Sequence, residues 1–378
     1  MKLKINKNKL LKSLQLANNF TDDSNINPIL SGILFKVTDD KLLLTSSNLN
    51  SYSQITLIND FNCDTKNTSF LIKGKLLYEI ITNLSSNEII LEIIDESTLR
   101  ISDNNFSCNL NLLSSSSYPS ISFDCKDWLN FEISKKILLK ISNKMPLFVS
   151  LDTDKKSTLG EILFDSLTEE NKIRILATDS SHLFCFEDQF NGNKTKFTLS
   201  PKLLSFINSL CIDTKSDVIN FYLKNNKIII KNNNNLFFYT LSELNYPSTT
   251  KVFTREYPNI FKINKTTLIN ALNRAFPLAT AITQDNDKNS IKFTIKNNSI
   301  SILSRSVNFG ECYEEIPITE SNINKSYDFK INVKFLSHII KCFDNDIITF
   351  NFNKENHPIL FTDEKDPTIK FIIMPLVN

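Results

Sequence analysis

Glycine is scarce in this sequence, with 5 residues in 378. Loops that cradle phosphates need glycine for close backbone approach, so a nucleotide-binding loop of that kind is excluded. Histidine is scarcer still, and His182, His338 and His357 stand far apart. No HExxH, H-x-E or His/Cys cluster is present to hold a metal, so neither a metal nor a cofactor is expected. His182 follows Asp179 and two serines, but adjacency along the chain is not triad geometry, and no GxSxG elbow accompanies it. The 7 cysteines (Cys63, Cys108, Cys125, Cys185, Cys211, Cys312, Cys342) are odd in number, scattered and never spaced CxxC. They read as reduced thiols of a cytoplasmic protein. No apolar signal core follows Met1, and no window approaches the roughly 18 apolar residues of a membrane span.

What is present is an ordinary globular composition, 41% hydrophobic and 22% charged, carrying an internal repeat. One pattern recurs six times: the end of a strand, one or two polar residues, then an apolar-rich helix start. The copies are LKINKNKLLKSL from Leu3, FLIKGKLLYEI from Phe70, FEISKKILLKI from Phe131, FTLSPKLLSFI from Phe197, FKINKTTLINAL from Phe261 and FKINVKFLSHI from Phe329. Starts are 61 to 68 residues apart, and alternate starts 127 to 132 apart. Such a period is too long for a solenoid and suits a domain-sized unit.

Helical spacing follows each start, with Leu10, Leu14 and Ala17 on one face of the first copy and Phe335, Leu336, Ile339 and Ile340 on one face of the last. β-branched and aromatic runs come next, at 89–94, 98–101, 219–223, 227–231, 297–303 and 347–352. Each half-repeat therefore reads as strand, helix, then about three strands, and the fold class as α+β. Tyr118-Pro119 closes the first pair of half-repeats, Tyr246-Pro247 closes the second, and Tyr257-Pro258 precedes the third. Proline removes a strand donor and fixes φ, so three domains are expected over 1–122, 123–250 and 251–378.

The formal net charge is only +2, but its distribution is uneven. Helices expected at 7–18, 73–83, 135–144, 201–210, 264–275 and 332–343 hold 14 basic residues and one acid, Glu79. They carry +13, which leaves −11 for the rest of the chain. Lysine is common on any solvated helix, yet an ordinary surface helix mixes both signs. Six basic helices facing one anionic partner would contact phosphates without reading sequence. Few aromatics sit beside these lysines for stacking single strands, and no helix-turn-helix or zinc-finger spacing reads bases. Double-stranded DNA is the expected partner.

Several motifs sit on this repeat. They are NPILSGIL at 27–34, LATDSSHL at 176–183 and IIMPLVN at 372–378. The second is similar to an "ATDGHRL" stretch and the third to a "VVMPMRL" ending. With the repeat and the helix charge, they make the whole chain resemble the bacterial DNA polymerase III beta subunit, the sliding-clamp family. The resemblance implies a head-to-tail homodimeric ring, with helices lining the hole and antiparallel sheets outside. It implies a processivity factor with no catalytic site, which tethers the replicative polymerase, the clamp loader and repair proteins through short hydrophobic peptides.

Carried over position by position, the family's peptide cleft falls on Leu159, Thr178, Leu183, Pro247, Val252, Ile373, Met374, Pro375 and Leu376. An apolar groove with a flexible methionine suits short hydrophobic peptides, although each residue also fits an ordinary core or strand end. The DNA-facing set is Lys9, Lys12, Lys75, Lys136, Lys140, Lys202, Arg274 and Lys334, of which Lys75 and Lys202 match basic family positions best. The dimer interface pairs Ile80 and Phe106 of one chain with Phe276 and Leu278 of the other. The chain departs from the family pattern at Asn25, where arginine is frequent, at Ser180 to His182, and at Val377-Asn378.

Other classes fit less well. A metal-dependent nuclease needs clustered carboxylates at a basic cleft, and these helices almost lack acids. A plain scaffold sharing the repeat would bind circular and linear DNA alike.

Overall fold

The structure is a computed structural model and describes every residue except 25–26, 121–123, 151–157, 244, 282–288, 297, 307 and 377–378. Asn25, Val377 and Asn378 therefore lie outside the described residues, as does the expected boundary at 122.

Six copies of the expected element order are present. The first is β1 (Lys2–Asn6), α1 (Lys7–Asn18), β2 (Gly32–Val37), β3 (Lys41–Ser47) and β4 (Ser51–Ile58), followed by a short β5 (Phe61–Cys63). The second is β6 (Thr68–Lys73), α2 (Gly74–Thr82), β7 (Glu88–Asp95), β8 (Thr98–Ser102) and β9 (Ser107–Asn111). The third is β10 (Leu129–Ser134), α3 (Lys135–Ser142), β11 (Ile162–Asp165), β12 (Lys172–Thr178) and β13 (His182–Gln189). The fourth is β14 (Lys196–Leu199), α4 (Pro201–Asp213), β15 (Val218–Lys224), β16 (Lys227–Asn232) and β17 (Asn235–Thr240), and a short α5 (Thr250–Phe253) follows it. The fifth is β18 (Asn259–Asn264), α6 (Lys265–Ala281), β19 (Ser290–Ile295), β20 (Ser299–Ser306) and β21 (Gly310–Pro317), with β22 (Glu320–Ser321). The sixth is β23 (Tyr327–Asn332), α7 (Val333–Cys342), β24 (Ile347–Phe352), β25 (Ile359–Thr362) and β26 (Ile369–Ile373).

The first strand of each half-repeat does not join its own three strands. It crosses to the neighbouring half-repeat: β1 pairs with β7, β6 with β2, β10 with β15, β14 with β11, β18 with β24 and β23 with β19. This exchange locks half-repeats together in twos. Phenylalanines at the crossings stack across strands. Phe35 and Phe70 lie 4.7 Å apart, Phe164 and Phe197 5.1 Å, Phe131 and Phe221 5.4 Å, and Phe261 and Phe350 4.5 Å. Such pairs add roughly 0.5–1.5 kcal/mol each beyond their buried area.

The chain divides into two compact units, residues 1–135 with 210–241, and residues 136–209 with 242–378. The first holds sheets of 5 and 8 strands, ordered β5-β1-β7-β8-β9 and β10-β15-β16-β17-β4-β3-β2-β6. The second holds sheets of 9 and 4 strands, ordered β14-β11-β12-β13-β26-β25-β24-β18-β22 and β21-β20-β19-β23.

Strand-to-helix junctions repeat as well. Asn6 accepts hydrogen bonds from the amides of Asn8 and Lys9, Asn264 from Thr267, and Asn332 from Lys334 and Phe335. Each cap is worth about 1 kcal/mol. Helix α6 runs on from the expected end at 275 to Ala281, through Pro277. Its buried face continues with Ala275 and Ala279, and Thr280 donates to the Phe276 carbonyl at 2.9 Å. Packing thus outweighs the hydrogen bond that proline removes.

Candidate functional site

The cleft residues named from sequence that the structure gathers lie in the second unit, around the meeting of β13 and β26. Thr178 ends β12, and its hydroxyl donates to the His182 carbonyl at 2.8 Å while accepting from the Ser180 amide at 3.1 Å. Asp179 accepts from the amides of Ser181 at 2.8 Å and His182 at 2.9 Å. This turn holds Ser180 at φ 80°, a left-handed conformation that glycine adopts freely. The family's glycine position is thus kept in shape here by side-chain bonds from its neighbours.

His182 is 3% exposed. Its Nδ1 lies 2.8 Å from Asp179 Oδ1 and its Nε2 3.1 Å from the Leu147 carbonyl. The ring stacks on Phe335 at 4.2 Å and tilts against Phe148 at 4.7 Å. Burial opposes ionisation of Asp179, but the hydrogen bonds and charge of His182 outweigh it and hold the carboxyl below its ordinary range. Nearby His338 is pushed down, first by burial and then by repulsion from His182.

Leu183, Leu163, Leu176, Cys185 and Ile372 form one buried cluster, with Tyr246, Val252, Phe253 and Leu360 packed on it. The Tyr246 hydroxyl donates to the Leu176 carbonyl at 3.3 Å. Ile373 is paired with His182, and the Met374 amide donates to the Ser181 carbonyl at 2.8 Å. The Leu376 amide donates to the Lys330 carbonyl at 2.7 Å, so the terminal segment is pinned on both sides. Met374 is exposed while Pro375 is buried and Leu376 half-buried. Leu159 is half-buried on a single turn at Thr158–Gly160 and Pro247 is exposed, and neither is among the residues packed in or on the cluster.

A polar rim borders the cluster. Arg174 Nε donates to Glu187 at 2.6 Å, Lys370 donates to the other oxygen of Glu187 at 2.7 Å, and the Arg174 guanidinium lies 5.5 Å from the Phe253 ring. Burial would raise Glu187, but its bonds from Lys370 and Arg174 hold it low. Sequence reading missed Phe253, Tyr246 and this rim. Tyr246-Pro247 was the available signal, and it served there only as a domain joint.

Of the 14 basic residues counted in the expected helices, 11 fall into three groups; of the others, Lys144 pairs with Asp344, Lys341 is exposed and Lys73 precedes α2. Lys7, Lys135 and Lys265 each stand first in a helix. They donate to carbonyls at the end of a second helix: Thr82 at 3.0 Å, Thr214 at 2.8 Å and Phe343 at 2.5 Å. They satisfy helix ends and are structural. Lys9, Lys12, Lys75, Lys140 and Arg274 pair with Asp60, Asp213, Asp23, Asp366 and Glu314. Lys136, Lys202 and Lys334 are exposed.

The last strands of the half-repeats supply a further feature. Strand β17 pairs with β4, and β26 with β13, all antiparallel. Among the described residues, the two remaining last strands, β9 and β21, are sheet edges. Exposed Phe106 precedes β9, and exposed Phe309 and Tyr313 lie beside and on β21. Ile80 and Phe106 border one open concavity of about 740 Å³. Phe276 and Leu278 are half-buried on α6.

Comparison with known proteins agrees with this geometry. Residues 1–122 match the profile of the DNA polymerase III beta subunit, N-terminal domain, and residues 250–377 that of its C-terminal domain. The chain is 26% identical over 393 residues to the beta sliding clamp of Mycoplasma genitalium, covering 99% of this chain and 100% of the relative. It is 25% identical to that of Staphylococcus epidermidis, covering 92% of each. The fold matches the Streptococcus pneumoniae DNA polymerase III beta chain at a TM-score of 0.90, with 20% identity and full coverage of both. It matches the Bacillus subtilis DNA polymerase sliding clamp at 0.88, with 21% identity, covering 100% of this chain and 99% of the other. With both ends of the chain and well over half of its length matched to that one subunit, the chain belongs to the DNA polymerase III beta subunit family.

Proposed function

We propose that this chain is a DNA sliding clamp that closes as a head-to-tail homodimer around duplex DNA. The observation that carries the reading is the pair of open edges. Each β17–β4 or β13–β26 joint unites the last strand of an even half-repeat with that of an odd one. The unmatched strands are one even, β9, and one odd, β21. Two copies satisfy both edges by the same joint made twice, and heterologous contacts that close make a ring. Phe106 and Ile80 would then meet Phe276 and Leu278 of the second copy.

The chain divides on this reading into three domains, 1–122, 123–250 and 251–378. The DNA-facing set is Lys9, Lys12, Lys75, Lys136, Lys140, Lys202, Arg274 and Lys334. Acids beside five of these temper the attraction, which suits a ring that must slide. The cluster under Leu183, Val252 and Met374 takes hydrophobic peptides of the replicative polymerase, the clamp loader and repair proteins. The protein works in the cytoplasm, with its cysteines reduced, as a processivity factor without chemistry of its own.

Light scattering under reducing conditions gives twice 43.4 kDa. The protein is retained on closed circular DNA and lost when the circle is cut. A monomer that binds both forms equally overturns the proposal.

A further inference from the structure

We propose that Cys108 of one copy and Cys312 of a second copy face each other across each ring joint and form a disulfide under oxidising stress, locking the ring. The inference rests on the dimer reading above, and the internal joints supply its register.

Each repeat start leads across its sheet, one directly opposed partner at a time. Leu3 leads through Leu91 and Ile101 to Cys108. In the same steps Phe131 leads through Phe221 and Ile230 to Phe237, and Phe261 leads through Phe350 and Phe361 to Phe371. Cys108 is therefore the counterpart of Phe237 and Phe371. On the other side, Phe70 leads through Phe35 and Leu44 to Ile55, Phe197 through Phe164 and Ile175 to Phe186, and Phe329 through Phe293 and Ile302 to Glu314. Two residues before these ends stand Ser53, Phe184 and Cys312. At the formed joints Phe237 lies opposite Ser53, and Phe371 opposite Phe184. The third joint, made the same way, places Cys108 opposite Cys312.

The geometry suits a bond. The Thr240 amide donates to the Asn50 carbonyl, and the Met374 amide to the Ser181 carbonyl, each three residues from the joint position. Alternation then makes the joint position a non-hydrogen-bonded pair, with Cα atoms roughly 4.5 Å apart. Disulfides span about 4.4–6.8 Å. Side chains do meet there, because the Phe184 and Phe371 rings stack at 4.5 Å. Cys108 and Cys312 are free and partly exposed in the single chain, whereas Cys185, Cys211 and Cys342 are buried. Burial pushes the Cys342 thiol up to about 12, away from reactivity.

The chemistry is thiol–disulfide exchange with a small-molecule disulfide. One thiolate attacks it and releases one small thiol, and the facing thiolate displaces the second. One S–S bond forms in the protein as one is cleaved in the oxidant, with two electrons passing to the oxidant and both protons to the released thiols. A ring closed at both joints cannot open to be loaded or removed.

Purified dimer is treated with oxidised glutathione and run on a denaturing gel without reductant. The expected product has twice the 43.4 kDa chain mass and reverts with dithiothreitol. It is absent from Cys108→Ser and from Cys312→Ser, and returns when these two variants are mixed, because one joint then regains both thiols. Subunit exchange between tagged and untagged rings slows at least tenfold on oxidation. A light-scattering dimer that yields no covalent product overturns this inference alone, as does a product that survives Cys108→Ser. A light-scattering monomer removes the dimer reading and this inference with it.

Discussion

The β13–β26 joint and the free edges of β9 and β21 hold the same place in the repeat, and they are built differently. At the joint, Phe371 is wholly buried and touches Phe184, Phe148 and Phe343. At the free edges the corresponding residues are Cys108 and Cys312, small and half-exposed, and the large apolar groups sit nearby at Phe106, Phe309 and Tyr313. A joint within one chain is made once, at folding, and can be dry and aromatic. On the dimer proposal, edges that wait for a second copy must stay soluble without it, which fits polar neighbours such as Asn109 and Glu311. The comparison teaches that one repeated strand position holds packed aromatics at the β13–β26 joint and half-exposed thiols at the free edges, while the buried Ser53 opposite Phe237 shows that a small residue also serves at a formed joint.

Four measurements sharpen or break this contrast. Phe371→Ala leaves a cavity in the packed joint and lowers unfolding stability by about 3–5 kcal/mol in urea titration. A loss below roughly 1 kcal/mol would mean that the joint is not core. Phe106→Ala leaves monomer stability nearly unchanged but weakens dimerisation by about 1–2 kcal/mol, read as roughly a tenfold higher dissociation constant in sedimentation. Equal damage to monomer stability would erase the distinction between joint and edge.

The double change Met374→Ala and Leu376→Ala removes apolar contacts beside the formed joint. Affinity for clamp-binding hydrophobic peptides falls about tenfold while the dimer stays intact. Unchanged peptide affinity takes these two residues out of the cleft.

The smallest effect concerns pH. His338 is held below its ordinary value by burial, by His182 and by Lys341, with opposing contributions from the Leu147 carbonyl and Asp179. The unfolded chain therefore takes up this proton first on acidification. The associated stability is present above about pH 6.5 and is lost as pH falls from there toward the lower folded value. Urea midpoints at pH 7.5 and 5.5 should differ more in the wild type than in His338→Asn, and an equal difference removes His338 from the account.

Much of the fold was legible in residue pattern. The six starts at Leu3, Phe70, Phe131, Phe197, Phe261 and Phe329 all fall on first strands, and each expected helix is present. Apolar periodicity reports which face is buried, so helix and strand positions follow from it. Ends were less legible: α6 passes Pro277 because its buried alanines keep packing, and the strand expected at 297–303 runs over Ser299–Ser306. The cleft was half legible. Leu183 and Val252 fall in one cluster, but the Arg174, Glu187 and Lys370 rim joins residues up to 183 positions apart along the chain. The basic bias of the helices is smaller than counted, because Lys73 and Lys144 fall outside α2 and α3 and Asp213 ends α4, and the count could not separate Lys7, Lys135 and Lys265, which cap helix ends, from the exposed Lys202 and Lys334.

Sequence alone determined the six-fold βαβββ order, the basic bias of the helices and the apolar faces, because each depends on spacing within a few residues. Tertiary structure alone decided which strands exchange between half-repeats, which lysines meet a carboxylate, and that Cys108 and Cys312 stand at corresponding joint positions. Those outcomes depend on hydrogen-bond register between strands far apart in the chain, and register is fixed only when whole sheets pack.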